Sequence, residues 1–152
     1  MKKVLMVVVV VFGVLMAHAQ DKKVVFSLGG GVSSLTNLGA KSIIGFGIDA
    51  QATTNFTESI QGFAQTGYHS FSQDGTSGGF IPFLVGAKYI AGDFRPGIGI
   101  GYGTFSGSGG SVFSPQVGYN VNKFDIIAHY TSTSIAGGNV NVIGLKVLYQ
   151  LF

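Results

Sequence analysis

The sequence predicts an all-β protein: a transmembrane, eight-stranded antiparallel up-and-down β-barrel preceded by a cleavable signal peptide. Three observations carry this expectation. The first twenty residues have the layout of a secretion signal. The remainder is nearly free of charge yet offers no second long apolar run. Stretch after stretch, apolar residues alternate with small or polar ones at a period of two.

The signal comes first. Lys2 and Lys3 supply a positive start, residues 4–16 form an uncharged apolar run, and Ala17-His18-Ala19 sets small residues where signal peptidase reads. Cleavage is expected before Gln20, giving a signal peptide over 1–19 and one domain over 20–152. The apolar run is too short for a membrane-spanning helix, which needs roughly 20 residues. There is no cysteine, so neither a lipid on cysteine nor a disulfide is available.

Charge then narrows the class. Charged residues make up 10% of the sequence, against about 25% in ordinary soluble proteins. Lys2 and Lys3 leave with the signal, so the formal balance of +3 owes most of its excess to them. With no basic run or stripe, a nucleic-acid partner is not expected. An uncharged surface without membrane helices leaves the closed barrel, which also satisfies its backbone hydrogen bonds in lipid.

The strands follow in order. In 24–33, Val24, Phe26, Leu28 and Val32 oppose Ser27, Gly29, Gly31 and Ser33. In 44–52, Ile44, Phe46, Ile48 and Ala50 oppose Gly45, Gly47, Asp49 and Gln51. Residues 60–71 are less regular; Ile60, Ala64 and Tyr68 are read outward, with Gln61, Phe63, Gln65 and His69 inward. Across 81–89, Ile81, Phe83, Val85, Ala87 and Tyr89 oppose Pro82, Leu84, Gly86 and Lys88. Across 96–103, Ile98, Ile100 and Tyr102 alternate with glycines. Val117, Tyr119 and Val121 oppose Gln116, Gly118 and Asn120. Phe124, Ile126, Ala128 and Tyr130 oppose Asp125, Ile127, His129 and Thr131. The last strand sets Ile143, Leu145, Val147, Tyr149 and Leu151 against Gly144, Lys146, Leu148 and Gln150. Apolar out and small or polar in, repeated in seven stretches beside the less regular 60–71, is the barrel pattern.

An even strand number returns both ends to the periplasmic side. The short breaks at 53–57, 91–95 and 122–123 read as periplasmic turns. The longer Gly/Ser/Thr/Asn-rich breaks at 34–41, 72–79, 105–113 and 132–139 read as external loops. All six tyrosines fall on outward faces at expected strand ends. Tyr68, Tyr102 and Tyr130 close the upward strands, and Tyr89, Tyr119 and Tyr149 the downward ones. Two membrane-interface girdles of three follow, because an amphipathic ring prefers that level.

Alternation also places four charges inside: Asp49, Lys88, Asp125 and Lys146, all in the periplasmic halves of their strands. An enclosed lone charge is uncompensated, so pairing is expected. If the last hairpin pairs Thr131 with Val140, Asp125 lies opposite Lys146. Asp49 and Lys88 lie on strands separated by one other, where Gln61 and Gln65 could bridge them. The expected role of this cluster is to plug the lower barrel.

Several residues carry a family likeness: Arg95-Pro96 leading into the alternating-glycine strand, Phe113-Ser114-Pro115 with Val117-Gly118-Tyr119, and Gly144-Leu145-Lys146-Val147 with terminal Phe152. Together they resemble the small eight-stranded outer-membrane barrels of the OmpA and OmpX type, over essentially all of 20–152. The resemblance implies location in the cell outer membrane of a Gram-negative bacterium, and contact with outer-membrane lipids and lipopolysaccharide. A C-terminal aromatic is similar to the signal read by the barrel-assembly machinery, although Tyr149 and Phe152 here have opposite parity. The family hosts many roles, so the likeness does not supply one.

Geometry and composition limit the choice. Eight strands enclose an interior just wide enough for side chains to fill, which disfavours a diffusion pore. His129-Tyr130-Thr131-Ser132 loosely resembles the His-x-Ser element of lipid A deacylase barrels, but no acid follows Asp125 to orient the histidine. His69, Ser72 and Asp74 faintly resemble the residues of lipid A acyltransferase barrels, though crowded on one expected loop. Gly97-x-Gly99-x-Gly101 lacks the following helix of a dinucleotide site. No metal-ligand cluster and no cofactor are expected. The expectation is therefore a monomeric, non-enzymatic barrel with a structural, envelope-stabilising or adhesion-like role and no identified surface ligand. A lipid A-modifying enzyme and a narrow small-solute channel are the alternatives.

Overall fold

The computed structural model describes residues 23–36, 43–73, 76–135 and 138–151. The expected signal peptide, Lys41, Asp74 and Phe152 lie outside them. Eight antiparallel strands form one closed barrel in chain order. They are β1 (Val24–Thr36), β2 (Ile43–Asn55), β3 (Ile60–Gln73), β4 (Thr76–Tyr89), β5 (Phe94–Phe105), β6 (Ser108–Val121), β7 (Phe124–Ile135) and β8 (Gly138–Gln150). The seam pairs β1 with β8 from Ser27↔Gln150 to Thr36↔Asn141, leaving no sheet edge to satisfy in lipid.

Register fixes the barrel's shape. From Asn55 on β2, successive partners are Gln61, Lys88, Gly97, Gln116, His129, Gly144 and Ser33. Ser33 then pairs with Gly45, back on β2, so the path has moved from position 55 to position 45, a stagger of ten residues. With roughly 3.3 Å per residue and 4.8 Å between strands, that stagger tilts the strands by about 40°. Each residue then climbs about 2.5 Å along the barrel axis.

The strands are longer than alternation suggested. β3 and β4 approach within positions 73 and 76, and β5 and β6 meet across Ser106-Gly107. Ser106 (φ 46°) and Gly107 (φ 90°) give this hairpin its tight two-residue turn. Three of the four expected external loops are therefore largely ladder; the fourth begins only after Thr36. At the other end β2 runs through to Asn55, and the turn follows at 56–59 rather than 53–57.

The reason is a switch in which face is polar. Near the end remote from the chain termini, Leu35, Phe71, Phe80, Val140 and Val142 point inward and are buried together, with Ile43, Phe105 and Ile135 packed against them. The small polar residues there point outward. Gly/Ser/Thr/Asn richness on an outward face resembles loop composition, while the apolar partners that hold the ladder are hidden by the alternation. Lower down, the outer wall is apolar and the interior is mixed, its polar groups packed among the buried Phe63, Leu84, Ile127 and Leu148. The large inward rings sit over inward glycines: Phe63 over Gly86 and Gly99, Phe71 over Gly45, and Phe80 over Gly103, each within 3.1 Å of where a Cβ would stand.

Candidate functional site: the barrel interior

Below the apolar plug a packed polar network runs through the interior beside the buried Phe63, Leu84, Ile127 and Leu148. Asp49, near the middle of β2, is 1% exposed. Its Oδ1 lies 3.6 Å from Lys146 Nζ on β8 and 3.3 Å from His69 Nε2 on β3. Gln65 Nε2 donates to the same oxygen at 3.5 Å. The chain of bonds continues downward: Gln51 Nε2 donates to Gln65 Oε1 at 3.0 Å, and Lys88 Nζ donates to Gln51 Oε1 at 2.7 Å. Lys88 also stands 5.3 Å above the centre of the Phe63 ring, a favourable place for a desolvated ammonium.

Asp125, nearer the end where β1 begins and β8 ends, forms a second centre. Arg95 Nη1 lies 3.6 Å from its Oδ1. Asn120 Nδ2 donates to Oδ1 at 2.7 Å, and Gln150 Nε2 donates to Oδ2 at 3.1 Å.

The structure thus joins Asp49 with Lys146, and Asp125 with Arg95. The expected Asp125–Lys146 pair is overturned: Thr131 pairs with Val142, so Asp125 lies opposite Leu148 and Lys146 opposite Ile127. The register is shifted by two residues because the ladder runs on to Ile135↔Gly138, which centres the hairpin one residue later than the expected pairing does. Lys88 and Asp49 are linked through Gln51 and Gln65. Gln61 takes no part in this link; its Nε2 donates to Asn55 Oδ1 at 3.0 Å. Asp49 and Lys146 meet near mid-height, above Lys88 and Asp125. Arg95 was missed because it was assigned to a turn, although it shares the inward parity of Gly97.

Ser33, His69 and Asp49 fall in series, with Ser33 Oγ 3.3 Å from His69 Nδ1. A hydroxyl, an imidazole and a carboxylate in a row is the layout of a nucleophilic triad. Here none of the three is more than 2% exposed. The apolar plug lies above them, and Asp49 is already held by Lys146. No ester or amide can reach Ser33 Oγ through that packing, so the row works as a buried polar tie. The histidine pattern at 129–132 is likewise divided. His129 points inward, its Nδ1 3.2 Å from Thr131 Oγ1, which lies 2.8 Å from Ser114 Oγ, whereas Ser132 has outward parity. His69 and Ser72 also lie on opposite faces of β3, inward and outward respectively. Among the described residues no group of three His, Cys, Asp or Glu could hold a metal ion.

All six tyrosines point outward, with exposures from 39% to 56%. Tyr89, Tyr119 and Tyr149 lie within two residues of strand ends, and Phe94 and Phe124 join them at that level through the pairs Phe94↔Tyr119 and Phe124↔Tyr149. Tyr68, Tyr102 and Tyr130 are not at strand ends: β3, β5 and β7 run on past them. Tyr68 and Tyr102 bend away from the barrel's middle. Their phenol rings and hydroxyls lie over Gly79 and Gly109 of the neighbouring strands, where a Cβ would block them.

No protein-family model and no curated protein matches the sequence. Solved structures do match the fold. Ail, the attachment invasion locus protein of Yersinia pestis, aligns with a TM-score of 0.58 at 14% identity, over 84% of this chain and 97% of that one. Neisserial surface protein A aligns at 0.57 and 11% identity, over 84% and 97%. A de novo designed transmembrane β-barrel aligns at 0.57 and 12%, over 84% and 95%. The fold is that of the small eight-stranded outer-membrane barrels.

Proposed function

We propose that the chain is an integral outer-membrane barrel with both termini on the periplasmic side, serving the envelope as a structural and surface-interaction protein and not as a pore or hydrolase. The filled interior carries this reading. Phe80, Lys146, Ile127, Leu148, Val142, Thr133, Asp49 and Ser33 are each under 2% exposed, so the interior is occupied by side chains from plug to polar network. The outer wall supports the location, since Ile44, Phe46, Ile48, Ile100, Ile143 and Leu145 are all more than half exposed and need lipid to cover them. The six tyrosines are assigned to two interface girdles, and the Asp49, Lys88, Asp125 and Lys146 network to plugging the lower barrel.

Ail has attachment in its name, and one of its structures was solved with the heparin analogue sucrose octasulfate. That supports a surface-contact role for this fold without transferring the ligand. Among the described residues the exposed charges Lys23, Glu58, Asp93 and Lys123 all lie at the periplasmic end, so the described external end has no cation to meet a polyanion. Deletion of the gene, with lipid A structure, small-solute permeability and surface attachment measured together, tests the proposal. Altered attachment or envelope integrity with unchanged lipid A and permeability is the expected result. A changed lipid A acylation pattern or a lost solute conductance would overturn it.

A further inference from the structure

We infer that a row of buried groups running from Asp49 to Ser114, with His129 at its centre, is an acid-sensitive latch that closes the barrel interior at neutral pH and parts when His129 takes up a proton. The observations lie wholly inside the barrel and concern its response to acid, beyond the envelope role proposed above.

The row crosses the lumen. Asp49 Oδ1 lies 3.3 Å from His69 Nε2, and His69 Nδ1 lies 3.3 Å from Ser33 Oγ. Ser33 Oγ and His129 Nε2 both stand within 2.6 Å of the point that a Gly144 Cβ would take, so the hydroxyl and the second imidazole meet over that glycine. The two imidazole centres are 6.3 Å apart. On its other side, His129 Nδ1 lies 3.2 Å from Thr131 Oγ1, which lies 2.8 Å from Ser114 Oγ. These residues come from β1, β2, β3, β6 and β7, and Lys146 of β8 joins them through Asp49. Six of the eight strands are thereby tied together, and none of the seven residues is more than 9% exposed. The apolar plug rests on the row, with the Phe80 ring centre 6.3 Å from that of His69.

The two histidines are held differently. His69 has an oxygen beside each ring nitrogen, so it can carry a proton on both. His129 has an oxygen only beside Nδ1; its Nε2 is buried without a hydrogen-bond partner. The neutral ring suits this place, with Nδ1–H donating to Thr131 Oγ1 and a bare lone pair at Nε2. A second proton would put an N–H at Nε2 that no oxygen of the closed row accepts, and a buried donor without a partner is costly. It would also add a cation to a layer that holds one carboxylate. The charged and titratable groups turned toward His129 are Asp49 on β2, His69 on β3 and Lys146 on β8. Farther down the lumen stand Lys88 on β4, Arg95 on β5 and Asp125 on β7 itself; among the described residues β1 and β6 send none inward. Asp49 is engaged by Lys146 and Asp125 by Arg95, so neither carboxylate is free to accompany the new charge. The proton is therefore taken up as the row parts.

The direction of the pH effect follows. A free histidine titrates near pH 6.5, so below about that value the opened chain binds a proton that the closed row does not. Closure is in full force above about pH 7 and weakens as the pH falls, by about tenfold per pH unit below about 6. Carboxylates titrate near 4, so the interval from pH 6 to 5 reads the histidine.

Urea unfolding of the full chain in uncharged detergent micelles, at pH 6 and at pH 5, tests the latch. The wild-type ratio of folded to unfolded protein is expected to fall about tenfold between the two. His129→Gln and His129→Asn, which carry no titrating ring, should each remove that fall, and His69→Gln should keep it. A wild-type ratio that is flat across this interval would overturn the inference without any variant having to fold. So would a fall that survives both His129 changes, or one that only His69→Gln removes.

Discussion

Changing Asp49 to Asn tests the interior network at its most buried point. The carboxylate is 1% exposed, accepts from Gln65, and neutralises Lys146, whose side chain is itself almost fully enclosed. Asparagine keeps an oxygen for Gln65 and removes the charge, stranding the Lys146 ammonium without an anion in contact. Breaking one side of such a buried pair costs about 3–5 kcal/mol, and the lower figure applies if water reaches Lys146 from the periplasmic mouth. Lys146→Met alone should cost a similar amount by stranding Asp49, although His69 and Gln65 remain to soften it. In the double variant neither charge is left alone, so the loss should fall short of the sum by about 2 kcal/mol. Urea unfolding of the refolded barrel in lipid vesicles, followed by the heat-dependent gel shift of folded barrels, supplies the four free energies. The companion cycle of Asp125→Asn with Lys146→Met should be additive within a few tenths of a kcal/mol, because Asp125 is held by Arg95, Asn120 and Gln150. Coupling in the Asp125 cycle together with additivity in the Asp49 cycle would show that β7 and β8 pair two residues out of the observed register.

Three further outcomes follow from the wall and the packing. Ile100→Lys, at 58% exposure on the apolar wall, should reduce stability by about 2–4 kcal/mol in vesicles, and Ser108→Lys beside the external turn should be near neutral; equal losses in the same unfolding assay would remove the lipid-facing assignment. Cysteines introduced singly as Gly107→Cys and Gly92→Cys should differ in whole cells, the first labelled by an impermeant thiol reagent and the second not, and the reverse result would invert the topology. Gly103→Ala meets only side-chain atoms of Val112 and Phe80, whereas Gly86→Ala runs into the Ile98 carbonyl. Each should cost about 1–3 kcal/mol, with Val112→Ala rescuing part of the first; if Phe63→Ala rescued the second as well, the backbone clash would be disproved.

The sequence made the fold class readable because period-two alternation survives in every strand, and inward parity was correct even in irregular β3, where Gln61, Phe63, Gln65 and His69 all point inside. Partners were less readable. Parity says which face a residue occupies, but pairing depends on where the turn falls, and a hairpin centred one residue too early set Lys146 opposite Asp125 instead of Ile127. Contacts across the lumen carry no local signal at all: Lys146 reaches Asp49 from β8 to β2, and Lys88 reaches Gln51 from β4 to β2. The outward serines Ser111 and Ser132 were misplaced for a third reason, since they fell within stretches whose composition suggested loops and lie instead within β6 and β7.

The two polar zones of this barrel answer one constraint. A strand that must cross an apolar layer needs an apolar outward face, yet a chain that is apolar at every position would read as a helical span of 18 residues or more during export. Alternation keeps each segment below that limit by giving most of its alternate positions to small or polar residues, with Phe63, Leu84, Ile127 and Leu148 as inward exceptions. In the membrane zone those residues fall inside, where Asp49, Lys88, Gln51 and Gln65 must then find one another, since each group left unbonded in the interior is costly. Above the membrane the same alternation continues with its faces exchanged. Phe80 points in, Gly79 and Ser77 lie on the outward side, and no ion pair is needed because the plug is apolar. The ionic network therefore occupies the stretch of lumen surrounded by lipid and stops where water can again solvate the outer wall. On the proposed membrane reading, the physics of export and insertion accounts for that coincidence without assigning the network a reaction.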